Sequence, residues 1–271
     1  MKKVAIFFRN KNIPNVFRDI ILKSLSSDFS KYIVCSAFFQ HPYRDKGRRI
    51  GKFTTSYELL DALYAGCNQC TGCLRYLRCY RWARWARWAS QYSTTGWNIH
   101  INGIHTRCRR CIIKKNINIY GLYEAHFWPL QYHLTCKKLF TYGCPFCMKF
   151  SFFKFKKKKS HAKIFIAKDC DDKPKLAIIG SSNLSAGAFS NTTPRWNQEC
   201  DVIFWDETDE CAQGVMNTVL EYLGEEDRKM LFVTNYNEED NNSSLEKKLM
   251  NLEQQIINKE LVNVYDVGSN F

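Results

Sequence analysis

The sequence predicts an α/β fold: a mixed, largely parallel sheet flanked by helices. Three observations carry that expectation. Strand-type and helix-type patterns alternate at both ends of the chain. Strand, helix and strand follow one another within the first forty residues, the pattern of a right-handed crossover. Hydrophobic residues make up 45% of 271 positions, enough for the core of one large domain or two small ones.

Taken in order, Lys3–Phe8 reads as a short buried strand. Val16, Ile20, Ile21 and Leu25 have helical spacing within Asn15–Leu25. Tyr32–Phe39 is continuous and apolar enough for the middle of a sheet. Ser56–Tyr64 is helical, with Leu59, Leu60 and Leu63 on one side. Further on, residues 161–167 alternate, with His161, Lys163 and Phe165 on one face and Ala162, Ile164 and Ile166 on the other. Asp169–Pro174 is a turn and Leu176–Gly180 a strand. A helix begins near Asn183, capped by Ser182 or Asn183. Glu199–Trp205 is a strand, and Thr208–Leu223 a helix stopped by Gly224. Asn235–Ser244 is a polar, acidic linker. Leu245, Leu249, Leu252 and Ile256 then mark a short amphipathic or coiled-coil helix.

Residues 66–159 break this order and read as irregular. Arg-Trp-Ala occurs three times in succession over residues 81–89, and nine of the thirteen cysteines lie here: 67, 70, 73, 79, 108, 111, 136, 144 and 147. The Cys-x-x-Cys pairs at 67–70–73, 108–111 and 144–147 invite a zinc reading, although the loops between them lack compact finger spacing and Cys79 and Cys136 fit no scheme. The basic-aromatic mixture also suits stacking on bases. A third reading favours a compensated pair of frameshifts. Arg-Trp-Ala can be written AGA TGG GCT, whose neighbouring frame reads Asp-Gly-Leu, and out-of-frame translation commonly scatters Cys, Trp and Arg.

The formal charge of +14, from 40 Lys+Arg against 26 Asp+Glu, favours an anionic partner such as nucleic acid or an acidic membrane surface. The basic excess is concentrated in residues 75–163, while the chain beyond Asp206 is acidic. If the 66–159 segment is frame-shifted, much of that charge is accidental. The apolar run Val4–Phe8 is ended by Arg9 and Lys11, short of the roughly 7–15 apolar residues of a secretory signal. The expectation is a cytoplasmic protein without stable membrane insertion.

The chemistry concentrates in His161-Ala-Lys163, Gly180-Ser-Ser-Asn183 and Glu199. Alternation sets the imidazole beside the ammonium. A Gly-Ser-Ser-Asn turn ending the next strand offers backbone N–H groups and short polar side chains to an anion. Lys163 then supplies a point charge, Ser181 and Asn183 donate hydrogen bonds, and His161 stands beside the phosphorus as nucleophile or acid-base group. A lone His-x-Lys would read as an ordinary packed strand; the full set reverses that preference.

These residues resemble the phospholipase D-like superfamily, whose signature is His-x-Lys, a downstream Asp, then Gly-Ser-x-Asn. The likeness is strongest over residues 159–205, and Ile178–Phe189 with Asn197–Trp205 is similar to the branch of phospholipase D-like restriction endonucleases. The resemblance implies a phosphodiesterase domain over 1–234, followed by an acidic linker and helix over 235–271. It also implies a phosphohistidine route in which one histidine attacks phosphorus and a second protonates the leaving oxygen and then activates water. Carried over, His161 is nucleophile or acid, Lys163 and Asn183 hold phosphate oxygens, and Ser181 assists. Glu199 accepts a hydrogen bond from the imidazole. No metal or cofactor is implied.

Two departures stand out. The signature Asp should lie five residues after the Lys, where this chain has Lys168; Asp169 is one place late. Only one His-x-Lys is present, since His41, His100, His105, His126 and His133 lack the lysine. Single-copy members build the site from two chains, so a homodimer with an isologous interface is expected, with the Leu245–Ile256 helix either assisting it or packing on its own domain. The leading expectation is a metal-independent DNA nuclease of restriction type. The alternatives are a phospholipid hydrolase or phosphatidyltransferase, and an inactive nucleic-acid-binding relic.

Overall fold

A computed structural model describes residues 1–9, 15–40, 43–45, 48–50, 54–66, 115–121, 128–144, 147–155, 161–189, 197–257 and 261–263. Its strands are β1 (Lys2–Arg9), β2 (Lys31–Ser36), β3 (Tyr43–Asp45), β4 (Arg48–Ile50), β5 (Lys115–Gly121), β6 (Met148–Phe155), β7 (Ile164–Lys168), β8 (Pro174–Gly180), β9 (Glu199–Asp206), β10 (Leu231–Asn235) and β11 (Leu261–Asn263). Its helices are α1 (Val16–Ser26), α2 (Thr55–Ala65), α3 (Trp128–Tyr142), α4 (Ala186–Phe189), α5 (Glu210–Glu221), α6 (Glu225–Arg228) and α7 (Leu245–Ile257).

Nine strands form one sheet in the order β10-β1-β9-β8-β7-β2-β5-β6-β11, and β3 and β4 form a separate ribbon. The α/β class, the mixed sheet and the flanking helices are as the sequence predicts. The balance of directions is not. Only β2–β5 and β5–β6 pair in parallel, and the other six ladders of the large sheet are antiparallel. For β7 and β8 the reason is connection length. A parallel pair needs a crossover of about a dozen residues or more, whereas β7 returns directly into β8 through a tight turn. There Asp169 accepts from the backbone N–H groups of Asp171 and Lys173, both at 2.9 Å, and Asp172 takes a left-handed φ of 64°.

Alternation sorts the strand residues onto two faces. Phe7, Tyr32, Val34, Ile117, Ile119, Phe165, Ile178 and Ile203 meet α1, α2, α3 and α5 in the larger core. Ile33, Cys35, Tyr120, Ile164, Ile166 and Ala177 meet α7 on the other face. The C-terminal helix thus packs on its own sheet through Leu245, Leu249 and Ile256, and β11 adds to the sheet edge beside β6. Of the two readings of this helix, packing on its own domain is the one observed.

The expectation of irregularity over 66–159 needs correcting for its second half. β5, α3 and β6 lie within it, and β5 sits between two parallel neighbours. Ile117, Ile119, Tyr132, Cys136, Leu139, Met148 and Phe152 all join the main core. Burial in these three elements follows strand and helix periods. The signal was hidden because β6 buries aromatic residues and α3 carries Lys137, Lys138 and His133 among its apolar positions. The tryptophan repeat and the cysteines at 67–111 lie outside the described residues. Part of the basic excess is also structural: Lys115 is buried, and its ammonium donates to the carbonyls of Leu25 (2.5 Å) and Ser27 (2.6 Å) at the C-terminus of α1. Among the described residues no helix is long and apolar enough to cross a membrane.

Candidate active site

The sheet topology brings the end of β8, the start of β9, the end of β2 and the approach to β7 to one edge, the edge at which β1 also ends. His161 and Lys163 lie in the extended segment just before β7 rather than inside the strand. They still meet as the alternation requires. The Lys163 ammonium contacts His161 Nδ1, and the imidazole stands edge-on to the Phe38 ring, 5.3 Å between centroids. Burial, and then the Lys163 charge, push the imidazole below its ordinary pKa. Burial also pushes Lys163 down, while Glu199, Cys35 and Asp201 pull it back up. The pair is poised with the imidazole neutral, the form a nucleophile needs.

Gly180 is dictated by packing. A Cβ there would lie 2.0 Å from Asp201 Oδ1 and 2.7 Å from both Asp201 Cα and the Cys200 carbonyl oxygen, so any side chain would push β8 off β9. The next three residues are each fixed differently. Ser181 donates its hydroxyl to Glu199 Oε2 and accepts from the Cys200 N–H at 2.9 Å. Ser182 is buried and bound twice by Asp201, hydroxyl to Oδ2 at 2.6 Å and N–H to Oδ1 at 3.2 Å. Asn183 Oδ1 accepts from the Phe38 N–H at 3.3 Å, with the Ser36 hydroxyl at 3.5 Å. That contact fixes the amide and turns Nδ2, the donor, away from Phe38.

Glu199 departs from expectation. Its carboxylate accepts from Ser181 on Oε2 and from Asn197 Nδ2 at 3.1 Å on Oε1, in place of the imidazole. Both oxygens are engaged because Ser181 lies opposite Cys200 at the β8–β9 junction, one residue from Glu199, while His161 reaches the edge from β7, one strand further on. Glu199 therefore holds the Gly-Ser-Ser-Asn turn. The helix expected from Asn183 starts at Ala186 instead, because Leu184 is committed to a bridge with Phe39 and its N–H to Ser36 Oγ at 3.1 Å.

All five sequence-predicted residues reach this edge. Sequence reasoning missed four others. Asp201 anchors Ser182, and burial pushes its carboxyl above the usual range although the Ser182 bonds pull it down. Arg9, opposite Glu199 in the β1–β9 register, donates to the carbonyls of Gly187 (3.0 Å) and Ala188 (2.7 Å). Asn15 donates to the same Ala188 carbonyl at 2.9 Å, and Asn197 orients Glu199. The charged ones carried a signal: Arg9 and Asp201 are ionisable residues inside otherwise apolar strand patterns.

The signature position occupied by Lys168 is resolved as an ion pair. Lys168 is 1% exposed, and its ammonium lies 2.7 Å from Glu253 of α7 and 2.8 Å from Asp172. Where the pattern has an acid, this chain has a buried base whose acid comes from the C-terminal helix. Asp169, the displaced acid, closes the β7–β8 turn instead.

No family model matches the chain, and no curated protein matches it in sequence. Among solved structures it is similar to the phosphatidylserine synthase of Haemophilus influenzae Rd KW20, at 12% identity and a TM-score of 0.39, over 95% of this chain and 46% of that one. The chain spans about half the length of that protein. Fold and site together define an α/β chain with a histidine, a lysine and a Gly-Ser-Ser-Asn turn on one sheet edge.

Proposed function

We propose that this chain is a phosphodiesterase of the phospholipase D-like type, acting as a homodimer that completes the site, and that DNA is its substrate. What carries the reading is the meeting of one neutral imidazole, one ammonium and an amide-bearing turn at a single sheet edge. On phosphate binding, the Lys163 ammonium leaves Nδ1 for a phosphate oxygen, and Asn183 Nδ2 donates to a second oxygen. An imidazole nitrogen of His161 attacks phosphorus; the P–N bond forms as the P–O bond to the leaving group breaks. The partner subunit's His161, held as the imidazolium beside the bound phosphate anion, gives that oxygen its proton and becomes neutral, then takes a proton from water, whose oxygen displaces the imidazole from phosphorus. Ser181 and Glu199 hold the turn. The single His-x-Lys of the sequence is the reason for invoking a second chain, and DNA is favoured over phospholipid by the basic excess and by the likeness of residues 178–205 to the restriction-type branch.

Incubation with supercoiled plasmid in EDTA tests the reading. Nicking that persists in EDTA and is lost in His161→Ala is the expected result. Cleavage of phosphatidylcholine but not plasmid would move the substrate to lipid. Retention of plasmid without cleavage of either substrate would make the chain a binding relic.

A further inference from the structure

Glu199 is committed to Ser181 and Asn197, so orienting the His161 imidazole falls to other groups. The imidazole meets the Lys163 ammonium at Nδ1 and the Phe38 ring, with ring centroids 5.3 Å apart and planes at 82°. Aromatic rings prefer such edge-to-face contacts. A flat ring against a flat ring also resists rotation of either one. The ammonium cannot hold the imidazole during attack, because Lys163 then turns to a phosphate oxygen. The Phe38 contact involves no such exchange.

Phe38 is itself held firmly. Just beyond β2, Phe39 turns into the core against Tyr132, ring centroids 5.1 Å apart, and Phe38 stays half-buried beside His161. The buried Ser36 hydroxyl donates to the Phe38 carbonyl at 2.9 Å and accepts from the Leu184 N–H at 3.1 Å. The Phe38 N–H donates to Asn183 Oδ1 at 3.3 Å, and Phe39 bridges Leu184. Next in the chain, the Gln40 N–H donates to Thr55 Oγ1 at 3.1 Å, and its carbonyl accepts from the Thr55 N–H at 2.9 Å. Gln40 Oε1 accepts from the Ala186 N–H at 2.6 Å. Residues 36–40 thus brace the end of β2 against residues 183–186 and the start of α2. Within that brace one residue touches both halves of the site. The Phe38 ring meets the imidazole, and its N–H fixes the Asn183 amide.

We propose that Phe38 is a positioning residue of this site. Its ring holds the His161 imidazole at a fixed angle, and its backbone N–H fixes the phosphate-binding amide of Asn183 relative to that imidazole. The inference rests on the phosphodiesterase reading above. Phe38 takes no part in making or breaking bonds. Leucine in its place fills much of the space but presents no flat face, so the imidazole is free to turn. A reacting group misplaced by about 1 Å loses on the order of 100-fold in rate. The backbone N–H survives the replacement, so Asn183 keeps its place and phosphate binding is retained.

The test compares Phe38→Leu with Phe38→Tyr in the full chain. Carbon-13 relaxation of the His161 ring C–H groups reads the imidazole directly, whether or not the chain turns over. The rings of wild type and Phe38→Tyr should be as ordered as rigid backbone, with an order parameter of about 0.85, and that of Phe38→Leu should fall below about 0.6. With bis(p-nitrophenyl) phosphate in EDTA, Phe38→Leu should lose about 10–100-fold in kcat at the wild-type KM, and Phe38→Tyr should retain kcat. An imidazole equally ordered in Phe38→Leu overturns the proposal. So does a wild-type order parameter below about 0.6, or a loss in Phe38→Leu that falls wholly in KM. If Phe38→Leu fails to fold, the wild-type order parameter still decides. A wild-type chain that cleaves no phosphodiester would defeat the phosphodiesterase reading instead, and the order parameters would still settle whether Phe38 holds the ring.

Discussion

Replacing Glu253 by alanine would remove the main partner of a buried ammonium. Lys168 and Glu253 are 1% and 4% exposed, and Glu253 also lies 3.5 Å from the Lys31 ammonium. Breaking a buried pair by deleting one partner costs about 3–5 kcal/mol, because the other charge stays buried. Asp172 remains 2.8 Å from Lys168 but is itself 56% exposed, so it offsets only part of the loss. The expected destabilisation is about 2–3 kcal/mol, read as a lower urea midpoint at unchanged slope. Gln255→Ala, on the exposed side of the same helix, should stay within about 0.5 kcal/mol. The double replacement Lys168→Met/Glu253→Leu removes both charges and should recover most of the loss, to within about 1 kcal/mol of wild type. A Glu253→Ala cost below about 1 kcal/mol would refute the claim that this pair docks α7. So would a double variant as unstable as the sum of the singles.

Three further outcomes follow from the geometry. Gly180→Ala should lower both stability, by about 1–3 kcal/mol in urea denaturation, and turnover, since its Cβ would collide with Asp201; unchanged values in both assays would contradict the packing described. Burial pushes Asp206 up, but Lys2 and Thr208 outweigh it and hold the carboxyl at about 2, so its contribution is present above the ordinary carboxylate range and lost as pH falls through about 2. After solvent screening that contribution is about 1–2 kcal/mol, so Asp206→Asn should be destabilised by that amount near neutrality and match wild type near pH 2 in pH-dependent denaturation. The His161 imidazole should titrate below about 6.5 by NMR and move upward in Lys163→Met, because a neighbouring positive charge has been removed; a downward move would contradict the pairing.

How far the sequence could be read depended on whether a local period survived. α1 is legible because Val16, Ile20, Ile21 and Leu25 recur at helical spacing and Asn15 caps it through Arg18 N–H. The meeting of His161 and Lys163 follows from alternation alone. β10 was passed over because Leu231–Asn235 is mostly exposed at the sheet edge, without the buried alternation that marks an inner strand. β5 and β6 were obscured by neighbouring cysteines and lysines, and strand direction by the absence of any sequence signal for which strands become neighbours. The role of Glu199 was misread for a related reason. Its partners are set by the β8–β9 register, a long-range fact, and Asn197, two residues earlier, captures one of its oxygens. The Lys168–Glu253 pair spans 85 positions, so no local pattern reveals the partner of the lysine at the signature position.

On the proposed function, His161 is the nucleophile of a phosphodiester-cleaving site. The most direct measurement is acid-free quenching of the protein during turnover of bis(p-nitrophenyl) phosphate in EDTA, followed by mass spectrometry of the peptide containing His161. That substrate carries the phosphodiester without base or lipid, so the result does not depend on which natural substrate is used. The account predicts an acid-labile aryl-phosphoryl adduct on His161 that is absent in His161→Ala. Turnover that continues in His161→Ala would contradict it, as would an adduct on another residue.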